Sequence, residues 1–508
     1  MAHEIDPAFS AYPMRLLADA ALQRARDLGV EHADFRFERI RSQGLSLRDG
    51  KLQGSSDGED VGFSVRVLHD GTWGFAAAVD LTPEHAVRVA EQAVELAKVA
   101  RNLSRARVEI AHEPVYADVA WVSDYEIDPF GVPDTEKIEL LAARSLRALD
   151  QPAVDHVTAR LDQVLENKFY ADTAGTVTTQ QRVRVQPVFE ALAVDADSGR
   201  FETMETLAAP AGRGWEYVTG ADGVVAWEDA LDELGPLLAE KLAAPTVEAG
   251  RYDLIVDPTN LWLTIHESIG HATELDRALG YEANYAGTSF ATLDKLGALR
   301  YGSPAMHVTG DRTARHGLAT IGYDDEGVQT QRWDIVRDGV LVGYQLDRAM
   351  ASSNADVLGT SRSNGCAFAN SAGRVPVQRM ANVSLQPAAG GPSTDDLISQ
   401  VDDGIYVVGD KSWSIDMQRY NFQFTGQRFY RIQNGRLAGQ LRDVAYQATT
   451  TDFWGSLDAV GGPETYQMGG AFNCGKAQPG QLAPVSHGCP SVLFRNINIL
   501  NTAQEGGQ

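Results

Sequence analysis

Cysteine is scarce in this chain, with only Cys366, Cys474 and Cys489 in 508 residues. An odd, low count in so long a chain argues against a disulfide framework and leaves each thiol free for other chemistry. Basic charge is short as well. Lys and Arg number 44 against 69 Asp and Glu, a net charge of −25. Nucleic acid requires a basic footprint that this composition does not supply, and an anionic membrane surface is disfavoured for the same reason. Long apolar runs are missing too, since no stretch approaches the roughly 18 residues of a membrane span. The N-terminus, Met1-Ala-His-Glu-Ile-Asp-Pro7, has neither the basic nor the apolar region of a secretion signal. The expectation is a reduced, cytoplasmic protein that binds neither nucleic acid nor membrane. The rest of the composition, 44 % hydrophobic and 22 % charged, is that of a globular protein too long for one core.

Histidine is sparse at 11 residues, so its clustering carries weight. Three His-Glu pairs occur, at His3, His112 and His266, and only the last has another histidine five positions on. His266-Glu267-Ser-Ile-Gly-His271 places two imidazoles and a carboxylate on one predicted helix, the usual parts of a metal-hydrolase site. The spacing is one residue longer than the common His-Glu-x-x-His. Helical partners at i and i+4 lie about 40° apart, but those at i and i+5 lie about 140° apart. A regular helix would splay the rings. The pattern therefore predicts an overpacked π turn near Ser268–Gly270, a feature that tends to occur at functional sites. Without that turn the spacing is accidental, and Glu267 and His271 are an ordinary i, i+4 surface pair.

Periodicity and turn chemistry suggest an α+β fold in three units. Residues 1–105 read as an α+β unit. It has an amphipathic helix over 14–28, strands meeting at Asp49-Gly50 and Asp70-Gly71, and a helix opening at Thr82-Pro83-Glu84. Residues 106–249 form a second α+β unit, with helices over 134–149 and 226–243 and alternating strands across 154–217. Both units are expected to be antiparallel sheets with flanking helices. Residues 250–508 are strand-rich, built of antiparallel sheets, with the His-Glu helix near their start. Asp257-Pro258 opens that helix, as N-cap and first position. One short helix is expected near 394–402. Two similar hairpins are expected at Asp338-Gly339 and Asn434-Gly435.

A tetrahedral zinc site open to water needs a third protein ligand. Cys474, flanked by glycine and near Lys476, which would help hold a thiolate, is one candidate; Cys489 and then Cys366 are others, and Asp, Glu or His remain open. His487 is a candidate oxyanion donor and equally a structural residue.

The chain resembles the TldD/PmbA metallopeptidases. The segments that carry the likeness are His266–His271, Cys474-Gly475-Lys476 with Pro479-Gly480-Gln481, and the closing Pro484–Pro490. Asp324-Asp325-Glu326-Gly327, the 338–343 hairpin and Arg379-Met380-Ala381-Asn382 add to it. The family's loop has Thr where this chain has Ala381, which weakens any role assigned to that loop. The resemblance implies that His266, His271 and Cys474 hold one divalent ion of the zinc type and that Glu267 is the catalytic base. Because PmbA-type subunits lack the His-Glu motif, it also implies a TldD-type catalytic chain. Its partner would be a PmbA-type paralogue, or a second copy in a homodimer. The implied substrates are unfolded or flexible peptides, cut with little sequence preference during peptide maturation or turnover. Such peptides would add as a strand to a sheet edge. Two alternatives stand beside this. One is an inactive scaffold with a structural metal. The other is an exopeptidase like the third class of dipeptidyl peptidases, which shares the long spacing but draws on a downstream acidic motif not found after residue 271.

Overall fold

The computed structural model describes residues 4–104 and 106–505. Its N-terminal half is built on one seven-stranded sheet. Strands His32–Arg48 and Lys51–His69 turn at Asp49-Gly50, and Thr72–Ala78 follows across Asp70-Gly71. All four turn residues have positive φ, between 48° and 72°, as a two-residue hairpin of matching twist requires. Strand His156–Asp172 continues the sheet antiparallel to His32–Arg48, and Val177–Val194 follows antiparallel to His156–Asp172. The sheet thus draws strands from both sides of residue 105. Helices Met14–Asp27 and Pro83–Arg101 bury Leu17, Ala21, Val89 and Ala93 against Phe35, Phe37 and Val65. Helix Asp134–Leu149 and the helices after residue 226 cover the other end through Leu141, Trp227 and Leu238.

Two expectations in this half need correction. The helix expected over 226–243 is two, Trp227–Asp232 and Leu234–Ala243, because Pro236 lacks the N–H that would continue the first. The alternating pattern expected to run to residue 217 ends as strand at Glu205, and Trp215–Thr219 is a short helix stopped by left-handed Gly220.

In the C-terminal half, strand Gly250–Val256 lies inside a second seven-stranded sheet. It is antiparallel to Val492–Asn501 and parallel to Asp403–Ile415. Asp257 caps the following helix by accepting from the Thr259 N–H at 3.0 Å, with Pro258 at its first position. Both hairpins at Asp338-Gly339 and Asn434-Gly435 form, as does helix Thr394–Ser399. Helices Arg348–Ser353, Ala355–Leu358 and Thr450–Gly455 were not expected; four to six residues are too few to show a helical period. Among the described residues no helix is long and apolar enough to cross a membrane.

The halves meet over buried charge. The Asp324–Gly327 turn inserts against the N-terminal sheet. Lys168 donates to Asp325 at 2.8 Å, and Arg66 bridges Glu326 at 2.9 Å and Asp34 at 2.7 Å. Asp325→Ala takes away the closest carboxylate to Lys168 and leaves Glu38 at 3.6 Å and Glu166 at 3.9 Å. It is expected to cost about 1–3 kcal/mol, measured as a lowered urea midpoint.

Candidate metal centre

The helix Pro258–Ile265 passes into a π turn over His266–Gly270 and then a 3₁₀ turn over His271–Thr273. The His271 N–H reaches the His266 carbonyl, an i to i−5 bond. This is the overpacked turn that the spacing demands, and it has visible supports. Trp454 Nε1 donates to Ser268 Oγ at 3.0 Å, and the Tyr301 hydroxyl donates to the Ser268 carbonyl. Gly270 faces Met380, whose Sδ would lie 2.5 Å from any added Cβ.

The turn swings both rings to one side. Their centroids are 4.7 Å apart, and Cys474 Sγ is 3.6 Å from His271 Nε2. Donor atoms of His266, His271 and Cys474 all lie within 4.8 Å of one another and all three residues are buried. Tetrahedral bonds of ordinary zinc length separate N and S ligands by about 3.5 Å, so the donor set fits a zinc-sized ion with little movement.

Hydrogen bonds to the remaining ring nitrogens fix which atom is free. His487 Nδ1 donates to the Val383 carbonyl at 2.7 Å, so its Nε2 is the acceptor facing His266 Nδ1, also at 2.7 Å. His266 therefore carries its proton on Nδ1 and leaves Nε2 bare. Burial holds His266 below, and His487 well below, the ordinary imidazole pKa, keeping both neutral. His271 Nδ1 lies 2.9 Å from Glu274 Oε2, which likewise leaves its Nε2 free. A carboxylate behind the ring, as Glu274 stands behind His271, is a usual outer support of a metal-binding histidine. His487 is thus occupied at both nitrogens, and the oxyanion role offered for it falls.

The three cysteines separate on electrostatics. Burial opposes ionisation of Cys474, but the Arg379 guanidinium and His271 outweigh it and hold the thiol below its ordinary value. Burial pushes Cys366 up to about 12 and Cys489 well above the ordinary range. Lys476 does not hold the thiolate, contrary to expectation. Its ammonium is buried between Asp276 at 2.8 Å and Glu274 at 3.2 Å. Arg379 takes that part, and also donates to the Cys474 carbonyl at 2.7 Å. With Met380 against Gly270, the loop carrying Ala381 does frame the centre. Ala381 itself contributes only its N–H, to Gln345 at 2.7 Å.

Glu267 is buried beside the rings and ion-paired to Arg419, on the turn between strands Asp403–Ile415 and Asn421–Gln433. Burial alone would raise its carboxyl, but the polar rings of His266 and His271 and the Arg419 guanidinium hold it below the ordinary value.

The C-terminal portion, residues 249–501, matches the profile of the "PmbA/TldA metallopeptidase C-terminal domain", and residues 33–97 match "PmbA/TldA metallopeptidase domain 1". A "Metalloprotease" of Methanothermobacter thermautotrophicus is 30 % identical over 93 % of this chain and 96 % of its own. The chain belongs to the TldD/PmbA metallopeptidase family. Another relative, the "Zinc metalloprotease TldD homolog" of Saccharolobus solfataricus, is 23 % identical over 94 % of this chain and 98 % of its own. The fold of this chain is similar to that in the crystal structure of TldE from Thermococcus kodakarensis. It superposes with a TM-score of 0.68 at 16 % identity, covering 95 % of this chain and 99 % of that one.

For this family member, Gly270→Ala tests the π turn directly. The new methyl must displace Met380, an overpacking expected to cost about 1–3 kcal/mol. Thermal unfolding should show the loss, and Met380→Ala in the same chain should restore part of it.

Proposed function

We propose that this chain is the catalytic, TldD-type subunit of a metal-dependent peptidase that cleaves unfolded or flexible peptides. The observation that carries the proposal is the convergence of two bare imidazole Nε2 atoms and a thiol of lowered pKa, beside a buried carboxylate. His266, His271 and Cys474 would hold one divalent ion, and a zinc-type ion suits two imidazoles and a thiolate. Such an ion supplies Lewis-acid polarisation of the scissile carbonyl and acidifies water to near neutral pH.

The chain's own residues do the rest. Glu267 takes a proton from the attacking water and delivers it to the departing amine. Arg419 orients Glu267 by its ion pair and is the nearest described cation to it. Held below the ordinary pKa, Glu267 is charged and ready to accept a proton at neutral pH. Glu274 and His487 keep the two ligand rings in the metal-accepting tautomer. Burial of the whole set excludes bulk water and strengthens each of these interactions. A PmbA-type partner such as TldE, or a second copy, would complete the assembly.

The deciding measurement is cleavage of a mixed, unstructured peptide by the purified chain, with and without a PmbA-type partner, before and after chelation. Cleavage should vanish on chelation and return with added zinc. Bound zinc without cleavage under any of these conditions would favour a scaffold with a structural metal.

A further inference from the structure

A cleft of about 270 Å³ opens between the two halves beside the metal centre. Leu207, Pro210, Trp262, Trp413, Met468 and Phe472 form apolar walls, and Trp413 is 53 % exposed with its indole uncovered. The charged side chains among its lining are two carboxylates, Glu205 and Asp410, with no lysine or arginine. Trp262 joins the cleft to the centre. Its Nε1 donates to Asp410 Oδ1 at 3.0 Å, and its ring lies 6.3 Å from those of His266 and His487.

Asp410 makes no ion pair among the described residues. Lys411, next in sequence, is held 3.7 Å from Glu202. Glu205 has only a loose exposed pair with Arg160 at 3.6 Å. Burial raises the pKa of both carboxyls, the direction expected of acids lacking a close cation.

We propose that this cleft is a substrate subsite for a positively charged side chain, lysine or arginine, of the bound peptide, a proposal that rests on the peptidase reading above. A long cationic side chain matches the lining at both ends. Its methylene stem covers the apolar walls while its head reaches Asp410 and the indole faces. A neutral apolar side chain would fill the same walls and leave the Asp410 carboxylate further desolvated and unpaired. Strand Gln467–Lys476 runs from the cleft, at Met468–Phe472, to Cys474. Between two and six residues of strand, about 7–20 Å, separate this lining from Cys474. The subsite therefore serves a side chain a few positions from the bond that is cut.

Binding is read in a Glu267→Gln background, so that peptides are not consumed. The probes are acetylated, amidated octapeptides of alanine and glycine with one lysine moved through each position, and the same set with norleucine. The best lysine peptide should bind at least tenfold more tightly than its norleucine counterpart. Asp410→Asn keeps an acceptor for Trp262 Nε1 and removes only the charge. It should bring the two to parity without weakening norleucine binding, and Trp413→Ala should narrow the preference. Equal affinity throughout, no binding of any lysine peptide, or a preference that survives Asp410→Asn would overturn the subsite. The zinc-loaded wild type, with and without a PmbA-type partner, is offered the same peptides in parallel. Lysine preference without cleavage upholds the subsite and overturns the peptidase reading; cleavage without lysine preference does the reverse.

Discussion

His271→Ala should yield a folded chain that no longer retains a stoichiometric divalent ion and no longer cleaves peptide. Outer supports of a metal ligand are typically worth 10–100-fold in affinity, so loss of a ligand itself should exceed about 100-fold. Elemental analysis after gel filtration and the cleavage rate are the readouts. The fold should survive because the π turn is held by Trp454, Tyr301 and Met380 rather than by the imidazole. Glu274→Gln makes the graded companion. It keeps an acceptor for His271 Nδ1 but loses the charge that backs the ring, and it leaves Lys476 with fewer counter-charges. Its loss of affinity should fall within the 10–100-fold range. Full retention of metal by His271→Ala would remove the centre from its assigned place.

Glu267→Gln is expected to separate binding from chemistry. The amide cannot accept the proton, and general-base catalysis is worth roughly 10²–10⁴-fold, so kcat should fall by about that factor while metal content and KM change little. Arg419 keeps an oxygen acceptor in this variant, which limits the structural cost of leaving a guanidinium half-buried. Undiminished turnover would exclude Glu267 as the base. The two variants together therefore distinguish a residue that holds the ion from one that moves a proton.

The proposed ligand set is legible from different kinds of signal. The histidine pair showed itself through a local spacing, and its oddity foretold the π turn, because the helical angle between i and i+5 leaves no other way to converge the rings. Cys474 is more than 200 residues away, and no local rule connects it; whole-chain resemblance pointed to it, and the fall in its pKa separates it from Cys366 and Cys489. Glu274 was readable in principle, three residues after His271 and so on the same side of a tight turn. Arg419 was not, and Arg379 stands out only as part of a family-like segment with no role attached. Each reaches the centre from a distant loop, and no local rule says that it will meet a carbonyl or a carboxylate there. The misplaced role of Lys476 has the same origin. Proximity in sequence suggests the thiol two residues away, on the same face of the strand, whereas the buried carboxylates of Glu274, Asp276 and Glu282 hold the Lys476 ammonium.

In the N-terminal half, turn dipeptides fixed the hairpins because Asp-Gly supplies the positive φ they need. The division of a helix at Pro236 and the short helices of the C-terminal half were lost for the opposite reason. Their boundaries depend on packing, and their lengths are too small for periodicity to register.

The π turn also has a consequence for any chain that lacks its extra residue. An inserted residue offsets everything after it by about 100° relative to a regular helix. His271, Glu274, Asp276 and Arg277 all lie downstream, and they reach the second ligand ring, Lys476 and Glu282 from that offset position. Deleting one residue between Ser268 and Gly270 would restore the commoner His-Glu-x-x-His spacing on paper. His271 and Glu274 would shift together, while Lys476, on strand Gln467–Lys476, would stay behind and lose the counter-charges it now meets. The spacing and the buried ion network are therefore built as one unit.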